Sequence, residues 1–181
     1  MALTLVPFDQ LAALLDLQGD SYDDYPALEF IADGVQAALE NYTGRALESK
    51  ERTETVRLTV DGTRQVPLKA LPVTSLGVVT VDGETEDDTE ITGYGIRLPA
   101  AVAGATVEVT YTGGFTDATI PADIPRAAVY QAAYEWQSRD HVGAQSVNTD
   151  GGSVSRPALG LLSHVRAQLD AHRHPMRAVA I

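Results

Sequence analysis

The sequence predicts an α+β fold, mainly α, in which a small helical bundle carries an antiparallel β module inserted between its second and third helices. Segments near both ends of the chain repeat apolar residues at helical spacing, whereas residues from about 51–115 alternate apolar and polar side chains as half-buried strands do. With 181 residues and 44% hydrophobic content, the chain can bury one core. We therefore expect a single domain over residues 1–181, helical in 1–50 and 116–181.

Two amphipathic helices are predicted before the β module. Residues 8–17 (FDQLAALLDL) place their large apolar side chains on one face, and Gly19 ends the pattern. Residues 26–43 begin with a proline, which suits a first helical turn, and repeat apolar residues at intervals of three and four. Gly44 suits the left-handed position after a helix. Gly34, in the middle, costs ~1 kcal/mol relative to alanine; either it marks a close helix–helix contact or it is simply tolerated.

The β module is predicted to contain five or six short strands. The run Val107 to Tyr111 (VEVTY) alternates clearly, and Asp82-Gly83 is a tight-turn signal at the end of an earlier strand. Alternation of this kind implies an antiparallel sheet or barrel with one wet face. The acidic run 84–90 lacks the glycine and the spacing of a calcium-binding loop, so a solvated loop is the favoured interpretation.

The segment from Ile120 to His141 predicts a helix that is buried on most faces. Two prolines flank Asp123 at its start, where the carboxylate can accept hydrogen bonds from the first turn. Apolar residues continue nearly all the way round the helix. Either it is the central helix of the fold, or a neighbouring subunit covers part of it. Its candidates for a subunit interface are Tyr130, Tyr134 and Trp136.

The C-terminal part of the chain combines a Gly/Ser-rich loop with a last helix. Residues 143–155 are almost uncharged and are expected to be flexible on their own. Pro157 is predicted to open a helix that ends near His172. The apolar face of this helix consists of Ala158, Leu161, Leu162, Val165 and Leu169. Residues 156–181 hold four arginines against one acidic residue, so this segment suits docking on an acidic partner surface.

The charge of the chain is strongly negative and unevenly distributed. The net charge is −12; residues 1–90 hold 18 acidic residues against 6 Lys/Arg, whereas residues 91–181 hold 7 of each. An acidic half disfavours ordinary nucleic-acid binding and suits a surface past which DNA slides, although acidity can also serve solubility alone. The sequence shows neither a membrane-spanning stretch nor a secretory signal.

Little in the sequence indicates catalysis. Cysteine is absent, and there is no phosphate-binding, dinucleotide-binding, zinc-protease or serine-hydrolase motif. His164 and His172 share roughly one helical face, but a zinc site needs a third ligand, and neither Asp170 nor His174 obviously converges with them. We therefore expect a protein that is not an enzyme and that has no catalytic residues, cofactor or metal.

Four phrases of the sequence carry a family resemblance. They are Ile31-Ala32 through to ENYTGR at residues 40–45, LPVTSL at residues 71–76, VEVTYTGGF at residues 107–115, and the proline-initiated helix from Ile120-Pro121 through Ala127-Ala128 to Tyr134 and Arg139. In order and spacing they resemble the head–tail connector (head-completion adaptor) proteins of tailed bacteriophages.

The resemblance implies a structural virion protein that forms an oligomeric ring, commonly of twelve subunits, joins the portal to the tail or neck and extends the DNA channel. The implied partners are further copies of the chain, the portal protein and a stopper, neck or tail-completion protein, while DNA passes without sequence-specific binding and no membrane is involved. The implied location is the virion neck, and the host cytoplasm before assembly. The segment that engages the portal in relatives corresponds to residues 172–181, so the portal-docking candidates are His172, Arg173, Arg177 and Ile181.

Three alternatives stay open. The protein can instead be a neighbouring neck or tail-completion protein. A β-module binding or adhesion protein with helical flanks is an alternative of another class; it needs paired exposed aromatic residues, for which only Tyr94 and Tyr111 are available. A metal-assisted hydrolase would have to use the C-terminal histidines.

Overall fold

The computed structural model has an α+β fold, as the sequence predicts, with its main run of strands between the second and third helices. It describes residues 5–59, 62–139, 146–149, 152–155 and 160–174. The chain divides into two compact units. The helical unit is the described part of 5–43 and 121–172, and the β unit is the described part of 44–120 together with Arg173 and His174.

The helical unit is built around one helix. Its helices are α1 (Phe8–Leu15), α2 (Pro26–Thr43), α3 (Asp123–Ser138) and α4 (Ser163–Leu169), with short 3₁₀ turns at Tyr22–Asp24 and Asp170–His172. Helices α1, α2 and α4 all pack against α3. The fully buried side chains that these helices supply include Leu11, Leu28, Val35, Leu39, Ile124, Val165 and Leu169. The bounds of α2 agree with the prediction.

The start of α3 differs from the prediction. Asp123 was expected to cap the helix, but the residue in the cap position is Ala122, and no side chain caps the first turn. Asp123 is already helical, so its carboxylate does not lie over the free N–H groups. Its Oδ2 instead lies 2.7 Å from Nε2 of His172, at hydrogen-bond distance. The predicted C-terminal end at His141 lies outside the described residues.

The last helix is shorter than predicted, and the loop before it contains strands. Leu161 and Leu162 precede α4, because the chain turns at Gly160, whose φ is +132°. Pro157 and Ala158 lie outside the described residues. Within the segment that was expected to be a flexible loop, β8 (Ser146–Thr149) pairs antiparallel with β9 (Gly152–Ser155). In the sequence, these strands are separated by Asp-Gly, a pair that favours hairpin turns. The prediction of a flexible loop rested on composition and did not use this signal.

The β unit contains seven strands in two antiparallel sheets. The strands are β1 (Lys50–Arg57), β2 (Thr63–Pro67), β3 (Val73–Val81), β4 (Glu84–Thr85), β5 (Glu90–Thr92), β6 (Gly95–Val102) and β7 (Thr106–Gly113). Their orders are β1-β7-β3-β4 in one sheet and β2-β6-β5 in the other. The predicted turn at Asp82-Gly83 joins β3 to β4, with both residues at positive φ.

Strand β7 supplies the centre of the β core. Val107, Val109 and Tyr111 are buried, as their alternation predicts, and pack with residues of both sheets. The buried Tyr111 hydroxyl donates to Oε1 of Glu54 at 2.5 Å and accepts from the backbone N–H of Ala70 at 3.0 Å. Burial raises the pKa of Tyr111, and the bond to Glu54 raises it further. This hydroxyl therefore ties strand β1 and the segment after β2 to the central strand.

Gly113 and Gly114, at the end of β7, are required because the backbone of other segments comes too close for a Cβ at either position. A Cβ at Gly113 would lie 2.3 Å from the carbonyl oxygen of Ala70, and one at Gly114 would lie 2.5 Å from that of Glu48. Gly114 also has a φ of +111°. The next residue, Phe115, donates its N–H to the carbonyl of Leu47. Only glycine lets the chain leave β7 along this path.

We expect the Tyr111→Phe substitution to lower the free energy of unfolding of the β unit by ~1–3 kcal/mol, because the Ala70 N–H and a Glu54 oxygen lose a partner where water has little access. Urea unfolding followed by circular dichroism measures the change. The matched control is Tyr94→Phe, which removes a hydroxyl from a side chain that is 52% exposed, and which should shift stability by less than ~0.5 kcal/mol. Equal effects of the two substitutions would contradict this account of Tyr111.

Candidate interaction surface

The apolar faces of α3 are mostly covered by the chain itself. Residues 127–129 and 131–133 are buried, among them Gln131, which is only 1% exposed. The amide of Gln131 donates to Oε1 of Glu135 and to the carbonyl of Gly160, and its Oε1 accepts from the N–H of Leu162. These bonds fix the lead-in of α4 against α3. Of the two alternatives, the structure therefore favours a central helix.

Trp136 belongs to an aromatic cluster inside the helical unit. Its ring meets Tyr25 edge-on with centroids 6.3 Å apart, and the guanidinium of Arg139 lies 3.9 Å from its centroid. Phe8 packs against both Tyr22 and Tyr25, which joins α1 to this cluster. The indole of Trp136 is therefore largely engaged by its own chain.

Tyr130 is the most exposed of the three predicted interface residues. It is 39% exposed, whereas Tyr134 and Trp136 are intermediate in exposure. The guanidinium of Arg126 lies 5.6 Å from the Tyr130 ring centroid, and the His164 ring meets that ring edge-on at 6.2 Å. We call Arg126, Tyr130 and His164 the Tyr130 patch. It presents an aromatic ring bordered by a cation and an imidazole, a combination enriched in protein interfaces.

A second exposed apolar surface lies on α2 and was missed by sequence reasoning. Phe30 is 80% exposed, and Ala27, Gly34 and Ala37 are exposed on the same helical face. We call these four residues the Phe30 face. The apolar stripe of α2 runs through Leu28 and the residues that follow it at helical spacing, so a large aromatic residue off that stripe was the available signal.

The structure gives different surroundings to the portal-docking candidates that it describes. His172 is partly buried beside Asp123, as described above. Arg173 is exposed, and the next residue, His174, is 6% exposed with its Nε2 2.9 Å from the carbonyl oxygen of Leu68. Arg177 and Ile181 lie outside the described residues. The buried imidazole of His174 thus holds residues 173–174, which precede the C-terminal residues 175–181, within the β unit.

The three histidines that the structure describes do not converge on a common site. His164 faces Tyr130, His172 faces Asp123 and His174 faces Leu68. Among the residues that the structure describes, no group of three His, Cys, Asp or Glu side chains is arranged to hold a metal ion. Within the same residues, no helix combines the length and apolar character that crossing a membrane requires.

The first two helices of the helical unit create a negative environment. The pKa of the Tyr22 hydroxyl is raised from 10.0 to about 12, mainly by burial and in addition by the carboxylates of Asp33, Glu29 and Asp9. The same hydroxyl donates to the carbonyl oxygen of Val6 at 2.7 Å. The acidic side chains of α1 and α2 therefore act together on one side of the unit.

Comparison with known proteins places the fold. No protein-family model matches the sequence, and no curated protein matches it either. A chain from the neck of a native GTA particle, computed with C12 symmetry, is similar in structure with a TM-score of 0.59 at 19% identity; the match covers 94% of this chain and 89% of that chain.

Two further chains give the same result. One comes from the neck of an empty GTA particle computed with C6 symmetry, with a TM-score of 0.57 at 21% identity, and the other from the virion of a native gene transfer agent (GTA) particle, with a TM-score of 0.57 at 22% identity. Each match covers 94% of this chain and 90% of the other. At these identities, the likeness establishes a shared fold over nearly the whole chain.

We expect Tyr22 to ionise near pH 12 rather than near 10, because the folded protein stabilises its neutral form. The absorbance change of wild-type protein minus that of Tyr22→Phe over an alkaline titration isolates this group. Tyr94→Phe, which removes an exposed tyrosine, provides the control difference. A Tyr22 midpoint that coincides with the control would contradict the acidic, partly buried environment described here.

Proposed function

We propose that this protein is a structural component of a virion neck and forms an oligomeric ring that joins the portal to the tail or neck and extends the DNA channel. The observation that carries the proposal is the fold shared over 94% of the chain with chains from the necks of GTA particles. The sequence phrases that resemble head–tail connector proteins were recognised without the fold, and they indicate the same place in a virion.

The symmetry in the descriptions of those necks supports self-assembly. One was computed with C12 symmetry and another with C6 symmetry. A cyclic ring repeats one heterologous contact between two different surfaces of the same subunit. The helical unit has two separate exposed aromatic surfaces, the Phe30 face and the Tyr130 patch, that are available for such a contact. A twelve-subunit ring in the virion neck is the arrangement we propose, after assembly from subunits made in the host cytoplasm.

The charge supports a channel that DNA passes without binding. The chain has a net charge of −12, and most of the excess lies in its first half. Carboxylates repel the phosphate backbone and leave no counterion-release gain to hold it, so DNA slides past such a surface without adhering. The proposed function needs no base readout and no catalytic group.

The nearest competing function is that of a neck or tail-completion protein, which the same fold accommodates. The two differ in which component binds first, the portal or a tail-side protein. The adhesion alternative loses its support, because Tyr111 is only 1% exposed and leaves Tyr94 without the second exposed aromatic residue that such a site requires.

Purified full-length protein is expected to bind the portal protein encoded with it and to appear as a ring seated on the portal in negative-stain images. Co-elution in size-exclusion chromatography gives the first measurement, and class averages give the copy number. Binding only to a tail-side component would transfer the proposal to the neck or tail-completion alternative. Failure to associate with a portal or tail-side component, or with itself, would overturn it.

The C-terminal segment is proposed to dock on the portal through its arginines and apolar end. We expect deletion of residues 175–181 combined with Arg173→Glu to weaken portal binding by about tenfold or more, equivalent to ~1.4 kcal/mol, while His174 stays in place to anchor the segment. The matched control is Arg57→Glu, which makes the same charge change as Arg173→Glu at an exposed position of β1. Biolayer interferometry measures both variants, and equal losses would count against this docking site.

A further inference from the structure

Among the residues that the structure describes, none covers the Phe30 face. Phe30 is the most exposed of the large apolar side chains in the described residues, at 80%. The residues three before and four after it on α2, Ala27 and Gly34, are small and also exposed. The face therefore consists of one projecting ring beside a shallow stretch where another surface can come close to the helix backbone.

No described residue of the chain lies close enough to Gly34 to require a glycine at that position. A Cβ built at this position meets nothing within 4 Å, so alanine would fit without strain. Glycine is a poor helix former because it loses the most backbone freedom on folding. Its presence in the middle of an exposed helical face fits a surface that another molecule must approach closely. Of the two alternatives that the sequence left open, a close helix–helix contact is not found among the described residues, so within the subunit Gly34 is simply tolerated.

Charge identifies the surface that fits the Phe30 face. Residues 5–43, which include α1 and α2, contain eight acidic side chains and no lysine or arginine. The arginines that the structure describes in the helical unit, Arg126, Arg139 and Arg166, all lie on α3 and α4 or at the end of α3. The helical unit therefore has an acidic pair of helices and a second pair that supplies the cations.

Within the pair of helices that carries these arginines, the Tyr130 patch offers the aromatic counterpart. Tyr130 has an exposed ring, and Arg126 lies over that ring on the same exposed side of α3. On the Phe30 face, Asp33 follows Phe30 by three residues and is exposed beside it. A ring with an adjacent carboxylate on one surface and a ring with an adjacent guanidinium on the other form a complementary pair.

We propose that the Phe30 face of one copy packs on the Tyr130 patch of the next copy, with Phe30 against Tyr130 and Asp33 paired with Arg126. This inference rests on the proposed ring and names its subunit contact. The two surfaces differ, so the contact is head-to-tail, which is the type that closes into cyclic rings. Aromatic residues and arginine at the centre of such a contact carry most of its binding energy.

The absence of cysteine from the chain makes the contact directly testable by cross-linking. Two single-cysteine variants, Ala27→Cys and His164→Cys, leave Phe30, Tyr130, Asp33 and Arg126 in place; they are mixed over a concentration series and treated with a short bismaleimide. We expect a covalent dimer in the mixture and little in either variant alone. The matched control pairs His164→Cys with Gln10→Cys, whose exposed position on α1 lies outside both surfaces; this mixture should give little covalent dimer.

A substitution at Gly34 separates the contact from effects on folding. Gly34→Gln adds a polar side chain that the open space accepts and that favours the helix, so the thermal midpoint should stay level or rise. In the Ala27→Cys background, it should lower the yield of the mixed dimer by about tenfold, because the added side chain holds the two surfaces apart. An unchanged yield would overturn the proposed approach at Gly34.

The outcomes distinguish this contact from the proposed function. Dimers formed by Ala27→Cys alone, to the same extent as in the mixture, would indicate a two-fold contact between identical faces and would overturn the inference. Rings that bind portal without the mixed cross-link would overturn this contact while the neck function stands. Failure of both cross-linking and association with portal, tail-side components and itself would overturn both.

Discussion

The burial of α3 is the constraint on which the helical unit depends. This helix is apolar on most of its faces, and three other helices cover it. The one strongly polar residue in its fully buried part, Gln131, has partners for both ends of its amide, because the turn before α4 brings the Gly160 carbonyl and the Leu162 N–H to it. An unpaired amide at that position would cost ~1–3 kcal/mol, so the position of α4 and the burial of α3 are linked.

In the β unit, too, a buried polar group has hydrogen-bond partners that link separate segments of the chain. A buried hydroxyl, that of Tyr111, satisfies a backbone N–H from a segment that belongs to no strand, and Glu54 lies beyond it on the edge strand β1. At the end of β7, the strand that carries Tyr111, Gly113 and Gly114 let two carbonyl groups approach the backbone. In both units, therefore, a polar contact at the centre specifies how irregular chain packs against regular structure.

The sequence predicted elements whose signals are local, and it failed where a distant segment decides. The bounds of α2 follow from a proline, a periodic stripe and a glycine, and the β module follows from alternation. The length of α4 depends on a turn at Gly160 and on Gln131, which is far away in sequence. For the same reason, the sequence could not show that Trp136 faces Tyr25. Periodicity showed only that Phe30 lies outside the apolar stripe of α2, and not that its side chain is exposed.

The distribution of charge in the helical unit limits how copies can meet. Contact between two α2 faces would bring acidic residues together with no cation on α1 or α2 to offset them, and at separations within the Debye length of ~8–10 Å that repulsion is not fully screened. Contact between α2 and the surface that carries Arg126 places opposite charges together. For the subunit contact proposed above, electrostatics thus favours the heterologous pairing over a two-fold contact between α2 faces. Apolar residues such as Phe30 then supply affinity rather than orientation.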